Sequence, residues 1–308
     1  MKTILIVGAT GAQGGAVAQY LSTTNEYNTV ALTRSATSAH AEALAALPNV
    51  KLAVSSVGSG YDTTAFLAAA SEADFVLVNT DGFALGEQAE TFWGIRLFEL
   101  AARAGVKHLI YSEWMHAQKD SKMAWTIIRS GPYLQMLSLV MTPTKEEDGS
   151  ATFNLPLADG AIPFIDLDDF GKYVHWALSH PSQSTGLDFG IATAHVSGNE
   201  LAETFAAHSQ KAAKYNDIPA QYWNAEAWQY LPKGPETKIG FQSTKDDSTL
   251  TMTYGENFTN WWNLYKASAD NKGLITRDYE FLDKIVPDRT KGLKEWMGKF
   301  RLELKEEI

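Results

Sequence analysis

The sequence predicts an α/β protein: a doubly wound parallel sheet with a smaller α+β lobe towards the C-terminus. Three observations carry that prediction. The first half alternates short apolar runs with Ala-rich stretches of helical spacing, the first run ends in a glycine triplet, and the last third turns aromatic and irregular. Alternating strand and helix signals imply crossover units, and strands that are continuously apolar imply burial on both faces.

Taken in order, strands are expected at 3–7, 29–32, 50–54, 75–78, 106–111 and 125–129, with helices at 41–47, 64–70 and 89–104 between them. Past residue 140 the pattern loosens, and "MTPTKEEDGSATF" reads as a polar, turn-rich excursion. A strand at 162–166 follows, then Asp168 as the N-cap of a helix at 169–178, a last strand at 187–192 and a helix at 199–213. Beyond Tyr215 come Trp223, Trp228, Trp261, Trp262 and Trp296, a density that usually fills a core. The expected division is a nucleotide domain over 1–195, whose excursion near 140–160 joins the second lobe, and a C-terminal substrate or partner lobe over 196–308. No internal repeat or low-complexity tract interrupts it.

Composition narrows the function classes. With 26 basic and 36 acidic side chains the net charge is −10, and no window clusters Lys and Arg, so no nucleic-acid partner is expected. Zero cysteines exclude disulfides, thiolate metal sites and a cysteine nucleophile. The N-terminal apolar run, Ile4 to Val7, is too short for a signal peptide and runs straight into glycines. A soluble, cytoplasmic protein without membrane association is expected.

"ILIVGATGAQGGAVAQYL" places Gly8, Gly11 and Gly14 between a strand and a helix. Gly8 suits the tight turn, Gly11 lets backbone N–H groups approach a pyrophosphate, and Gly14 allows close helix–strand packing. The helix N-terminus adds unpaired donors and the positive end of its dipole. The first unit is therefore read as a Rossmann-type dinucleotide-binding domain. Its second strand ends in Thr33-Arg34-Ser35, with a guanidinium where an NAD-selective site carries a carboxylate, which favours NADP(H) over NAD(H).

With Gly8-Ala9-Thr10-Gly11-Ala12-Gln13-Gly14-Gly15, Thr33-Arg34 and Gly105-Val106-Lys107-His108 the sequence resembles the NmrA-like family of atypical short-chain dehydrogenases. "SGPYLQML", "ENFTNWWNLYKAS", "RDYEFLDKI" and "LKEWM" extend the likeness, of the fungal type, almost to the C-terminus. The resemblance implies bound NADP(H) and one of two roles: reductase, or redox-responsive regulator that binds a partner protein. It implies a phosphate loop at Thr10, Gly11, Ala12 and Gln13, and a 2′-phosphate contact at Arg34. Asn79 and Thr80 match the segment passing the ribose, and Ser130, Gly131, Pro132 and Tyr133 the loop facing the nicotinamide. Where the family commonly has Asp beside the adenine, this chain has Ser56-Val57, so only a backbone contact is implied there.

A second departure concerns the chemistry. The fifth strand ends in Tyr111-Ser112, and Ser112 joins the expected cofactor-binding set. The lysine that short-chain dehydrogenases carry four residues past a catalytic tyrosine is replaced by Met115. Fungal relatives have a long Gly- and Tyr-rich segment after this strand, with an active-site-like lysine, whereas here Tyr111-Ser112 abuts Glu113-Trp114. Lys119 and Lys122 match the family's exposed turn instead. No catalytic residue is assigned. Tyr133 reads as a wall of the nicotinamide pocket before it reads as an acid, since a phenol without a nearby cation keeps a pKa near 10. His108 reads as a core histidine, and Asp166, Asp168 and Asp169 as a helix start rather than a metal cluster. His175 and His180 have no third ligand nearby, so no metal is expected.

Two functional classes follow. One is an NADPH-dependent reductase of a small carbonyl-bearing or aromatic metabolite. The other is a catalytically inactive sensor of NADP(H) occupancy that docks a regulatory protein and is cytoplasmic or nuclear. The intact cofactor loop, Ser112 and Tyr133 speak for the first; the missing Tyr–Lys pair speaks for the second.

Overall fold

The computed structural model describes residues 1–55, 60–112, 122–240, 251–300, 302, 305 and 306. Along the first half the elements are β1 (Lys2–Val7), α1 (Ala12–Thr24), β2 (Tyr27–Thr33), α2 (Ala39–Ala45), β3 (Val50–Val54), α3 (Thr63–Ser71) and β4 (Phe75–Val78). Then come α4 (Gly82–Leu85), α5 (Glu87–Ala104), β5 (His108–Ser112), β6 (Ala124–Arg129), β7 (Thr144–Lys145), β8 (Ala151–Leu155) and β9 (Ala161–Phe164). Next are α6 (Leu167–Ser179), α7 (Pro181–Ser184), β10 (Asp188–Gly190), β11 (Ala194–Ser197), α8 (Gly198–Ser209) and β12 (Ala213–Asp217). The last stretch holds α9 (Ala220–Ala227), α10 (Tyr254–Lys266), β13 (Ser268–Ala269), β14 (Lys272–Gly273), α11 (Tyr279–Ile285), α12 (Leu293–Lys299) and β15 (Lys305–Glu306).

The residues fall into two compact units. The first comprises Met1–Ser130, Leu167–Phe189 and Ile239–Thr251; the second comprises Gly131–Asp166, Gly190–Lys238 and Met252–Ile308.

The first unit is built on a seven-stranded sheet of order β10-β6-β5-β4-β1-β2-β3. Every pairing from β3 across to β6 is parallel. The chain runs outward from β1 to β3, then returns to β4 on the other side of β1. That reversal makes the carboxyl ends of β1 and β4 a topological switch point, where open α/β sheets bind ligands. β4 and β5 are buried along their whole length, as continuous apolar runs require. One face packs Phe66 of α3 and Leu97, Phe98 and Ala101 of α5 against Leu5, Val76 and Leu109 of the sheet. Burial of each large apolar side chain there stabilises by about 1.5–3 kcal/mol. α6 packs on α1 so closely that a Cβ on Gly171 would lie 2.3 Å from Tyr20 Cβ.

The second unit holds three small sheets. β9 and β11 pair antiparallel, β13 and β14 form a hairpin, and β12-β8-β7-β15 make a mixed sheet. Its aromatic core lies between α9 and α10. Trp262 has no exposed surface, and Trp223 lies edge-on to it with ring centroids 5.0 Å apart.

Several sequence expectations need correction. The excursion after residue 140 contains an antiparallel hairpin, with Thr144 opposite Thr152 and a turn closed by Glu146 N–H donating to the Ser150 carbonyl. The stretch that leaves the first unit is 131–166, wider than the expected 140–160. α6 begins at Leu167, so Asp168 sits within its first turn and does not cap it. α8 stops at Ser209, where Gln210 takes a left-handed φ of 58°, and the next residues form β12.

Candidate functional site

The glycine triplet stands at the switch point of the first unit. Gly8 has φ +74°, and a Cβ there would lie 2.2 Å from the Asn79 carbonyl oxygen. A Cβ on Gly14 would lie 2.3 Å from the Gly8 carbonyl oxygen and 2.9 Å from Ala9 Cα. Both glycines are thus demanded by packing of the chain on itself. Gly11 is different: its φ is −82°, and its only crowded neighbour is the Gly8 oxygen at 3.3 Å. The chain has no strong packing need for glycine there, whereas a backbone approached by a ligand does. Gly11 is the N-cap of α1, no side chain caps that helix, and its first turn carries no acid. Gly11 and Ala12 are exposed and Thr10 is half-buried. The positive end of the α1 dipole therefore stands at an exposed loop, with no acid in the helix's own first turn to neutralise it.

Beneath the loop, Gln13 ties two strand ends together. Its Nε2 donates to Ser130 Oγ at 3.0 Å, and its Oε1 accepts the Ser112 hydroxyl. Gln13 is 2% exposed and Ser112 not at all. Ser112 thus serves a strand-end clamp, a part that the sequence did not announce.

Arg34 follows β2 and is exposed. The turn around it is rich in hydroxyls: Thr33 Oγ1 accepts from Ser35 N–H at 3.2 Å, Thr37 N–H donates to Ser35 Oγ at 3.3 Å, and Ser38 caps α2. The first carboxylate after β2 is Glu42, already inside α2. A guanidinium with hydroxyl neighbours suits an oxyanion.

At the end of β4, Asn79 N–H donates to the Val7 carbonyl at 3.3 Å, and Thr80 is buried. Thr80 Oγ1 donates to Glu90 Oε1 at 2.6 Å and lies 3.1 Å from the Tyr111 hydroxyl. Burial raises the Glu90 pKa, the Thr80 hydrogen bond works against it, and the charge of Asp81 adds to it. Burial likewise pushes the Tyr61 phenol up, while an Asp81 backbone hydrogen bond lowers it. Sequence reading missed Glu90 and Tyr61. The available signal was a pair of glycines, Gly82 and Gly94, that leave room for the Glu90 carboxylate and the Tyr111 hydroxyl.

Gly131, Pro132 and Tyr133 belong to the second unit. A Cβ on Gly131 would lie 1.8 Å from the Pro163 carbonyl oxygen. Ile165 N–H donates to the Pro132 carbonyl at 2.8 Å, and Leu134 N–H to the Ile165 carbonyl at 3.0 Å, which fixes Tyr133 beside Ile165. Ser56, Val57, Met115 and Lys119 lie outside the described residues, and Lys122 is exposed. Asp166 is buried and accepts from Gln135 Nε2 at 3.0 Å and Thr290 Oγ1 at 2.8 Å, while Asp169 pairs with Lys172 at 3.0 Å. His175 lies 3.1 Å from Glu26. Among the described residues no group of His, Cys, Asp or Glu could hold a metal. No helix among them is long and apolar enough to cross a membrane.

The strand order, the glycine turn at its switch point and the flanking helices define a Rossmann-type α/β protein. The NmrA-like family profile matches residues 1–129 and 122–237, so the chain belongs to the NmrA-like family. It is 27% identical over 253 residues to the NmrA-like family domain-containing oxidoreductase himF of Aspergillus japonicus, covering 70% of this chain and 75% of that one. To the NAD(P)H azoreductase of Xenophilus azovorans it is 26% identical over 137 residues, 39% of this chain and 47% of that one. In fold it is similar to NmrA, a negative transcriptional regulator solved with NADP, at TM-score 0.71 and 18% identity over 98% of this chain and 95% of that one. A similar likeness holds for the NADPH-dependent quinone oxidoreductase of Escherichia coli, at TM-score 0.67 and 21% identity over 96% and 98%.

Proposed function

We propose that this protein is an NADP(H)-dependent reductase of a small, flat, carbonyl-bearing or aromatic acceptor. The observation that carries the reading is Gly11: an exposed N-cap glycine that the chain's packing does not demand, at the head of an uncapped helix without acids. In this reading Thr10, Ala12 and Gln13 hold the pyrophosphate through backbone N–H groups, Gly11, whose own N–H bonds the Gly8 carbonyl, lets it approach, and Gly14 packs the helix on the strand. Arg34 meets the 2′-phosphate, and the segment at Asn79 and Thr80 follows the ribose. The reduced dinucleotide supplies the hydride, and a proton from water completes the two-electron reduction. A relative named as a fungal oxidoreductase supports the redox reading, and one named as an NAD(P)H azoreductase supports an aromatic acceptor.

Calorimetric titration with NADPH and NADH, followed by assay of NADPH oxidation with a para-quinone and an azo dye, tests it. Saturable uptake of NADPH with turnover of either acceptor is expected. Uptake without turnover would replace the reductase reading by that of an occupancy sensor. Uptake of neither dinucleotide would overturn both.

A further inference from the structure

Glu90 is a half-buried carboxylate for which the described residues provide no Lys, Arg or His partner. The groups facing it are the Thr80 hydroxyl, Asp81, and the phenols of Tyr61 and Tyr111. Thr80 has one hydroxyl proton and gives it to Glu90, so Tyr111 is the donor in its own bond to Thr80. The chain is shaped around this cluster, since a Cβ on Gly82 would lie 2.2 Å from Glu90 Oε2 and one on Gly94 2.9 Å from the Tyr111 hydroxyl. Keeping a charge in such a place is costly unless its hydrogen bonds do something.

Their location supplies the task. Thr80 follows Asn79, whose N–H bonds the end of β1 and whose carbonyl abuts Gly8. A grip on Thr80 therefore fixes the peptide against which the glycine turn is folded. We propose that Glu90 is a positioning residue for the dinucleotide: it holds Thr80, and through Asn79 it holds the Gly8 turn in the form that receives pyrophosphate. This rests on the dinucleotide-binding reading above. Ionised, Glu90 accepts a charge-assisted bond; protonated, it accepts a neutral one about half as strong. Burial raises its pKa, so the grip loosens as pH falls through a window above the ordinary glutamate range.

The test is calorimetric Kd for NADP+ and NAD+ between about pH 5 and about pH 8, for wild type, Glu90→Gln, Thr80→Val and Thr80→Ser. The 2′-phosphate itself titrates near pH 6, so the readout is the ratio of variant to wild-type Kd at each pH. For Glu90→Gln the ratio should be about fivefold at the alkaline end and collapse towards unity at the acid end. Thr80→Val should fall with pH as well but level off above unity, because it also lacks the neutral bond that remains at the acid end, and Thr80→Ser should restore wild-type affinity. A defect that merely loosens packing would shift the ratio equally at every pH, and that result would overturn the proposal, as would a Glu90→Gln protein indistinguishable from wild type. If Glu90→Gln does not fold, the Thr80 pair decides by the same ratio. A wild type that takes up neither dinucleotide sinks the underlying reading and the proposal together; binding with a flat ratio sinks the proposal alone.

Discussion

Thr126 has one hydroxyl proton and donates it to the Ser184 carbonyl at 2.8 Å, so in its 2.8 Å bond with His108 the proton comes from His108 Nε2. His108 Nδ1 is then a bare lone pair, buried and without a partner. Burial lowers the His108 pKa to about 4, so the folded protein refuses a proton that the unfolded chain accepts near 6.5. The sign follows: this stability is present above about pH 6.5 and is lost as pH falls towards about 4, on the order of 3 kcal/mol in all. Thermal unfolding across that window should show the decline in wild type and a flatter profile in His108→Gln. Equal slopes would mean that folding leaves the proton affinity of His108 unchanged. At Arg34 the expectation concerns selectivity. Loss of a charge-assisted pair with phosphate, worth about 1.5–3 kcal/mol, should shrink any preference for NADP(H) over NAD(H) more than tenfold in Arg34→Ala. An unchanged ratio of the two Kd values would remove Arg34 from the 2′-phosphate. The glycine turn was legible because its chemistry is local. Glu90 with Thr80 and Ser112 with Gln13 were not, because those contacts are made by folding and leave no spacing to read.

Helix α10 shows what an element writes into its sequence. Tyr254, Phe258, Trp262 and Tyr265 form its buried stripe, and Thr253 with Glu256 makes a capping box. Trp262→Ala should cost about 3–5 kcal/mol, and Thr253→Ala about 1 kcal/mol, read as shifts in the urea midpoint. If the tryptophan change cost no more than the cap, Trp262 would not be the centre of that core. Short strands are harder to read. β7 has two residues, Thr144–Lys145, and is joined to β8 through Glu146, Glu147, Asp148, Gly149 and Ser150, so the hairpin looked like a loop. β12 reads Ala-Lys-Tyr-Asn-Asp, a poor strand by composition, and pairs in parallel with β8 from Ala213↔Ala151 to Asp217↔Leu155. Its pairing partner, far away in sequence, decides the matter.

Over the whole molecule, the doubly wound sheet was legible because both of its faces are covered, which forces short, continuously apolar strands between helices. The smaller unit was not, because its sheets are two- to four-stranded and their order interleaves distant segments. Charge belongs to this scale too. With 26 basic against 36 acidic side chains the net charge is −10, and several basic groups are already engaged: Lys107 with Asp74 at 2.5 Å, Arg129 with Asp188 at 2.6 Å, Arg289 with Asp283 at 2.8 Å. Phosphate binding draws its free energy from counterions released by several unpaired cations on one face, and a field of the opposite sign repels the duplex before contact. Random duplex DNA should therefore not bind measurably at physiological salt, which fluorescence anisotropy with a labelled duplex can follow as salt is raised. Sub-micromolar binding that decays steeply with added salt would show that the charges are segregated into a basic face strong enough to outweigh the net negative field.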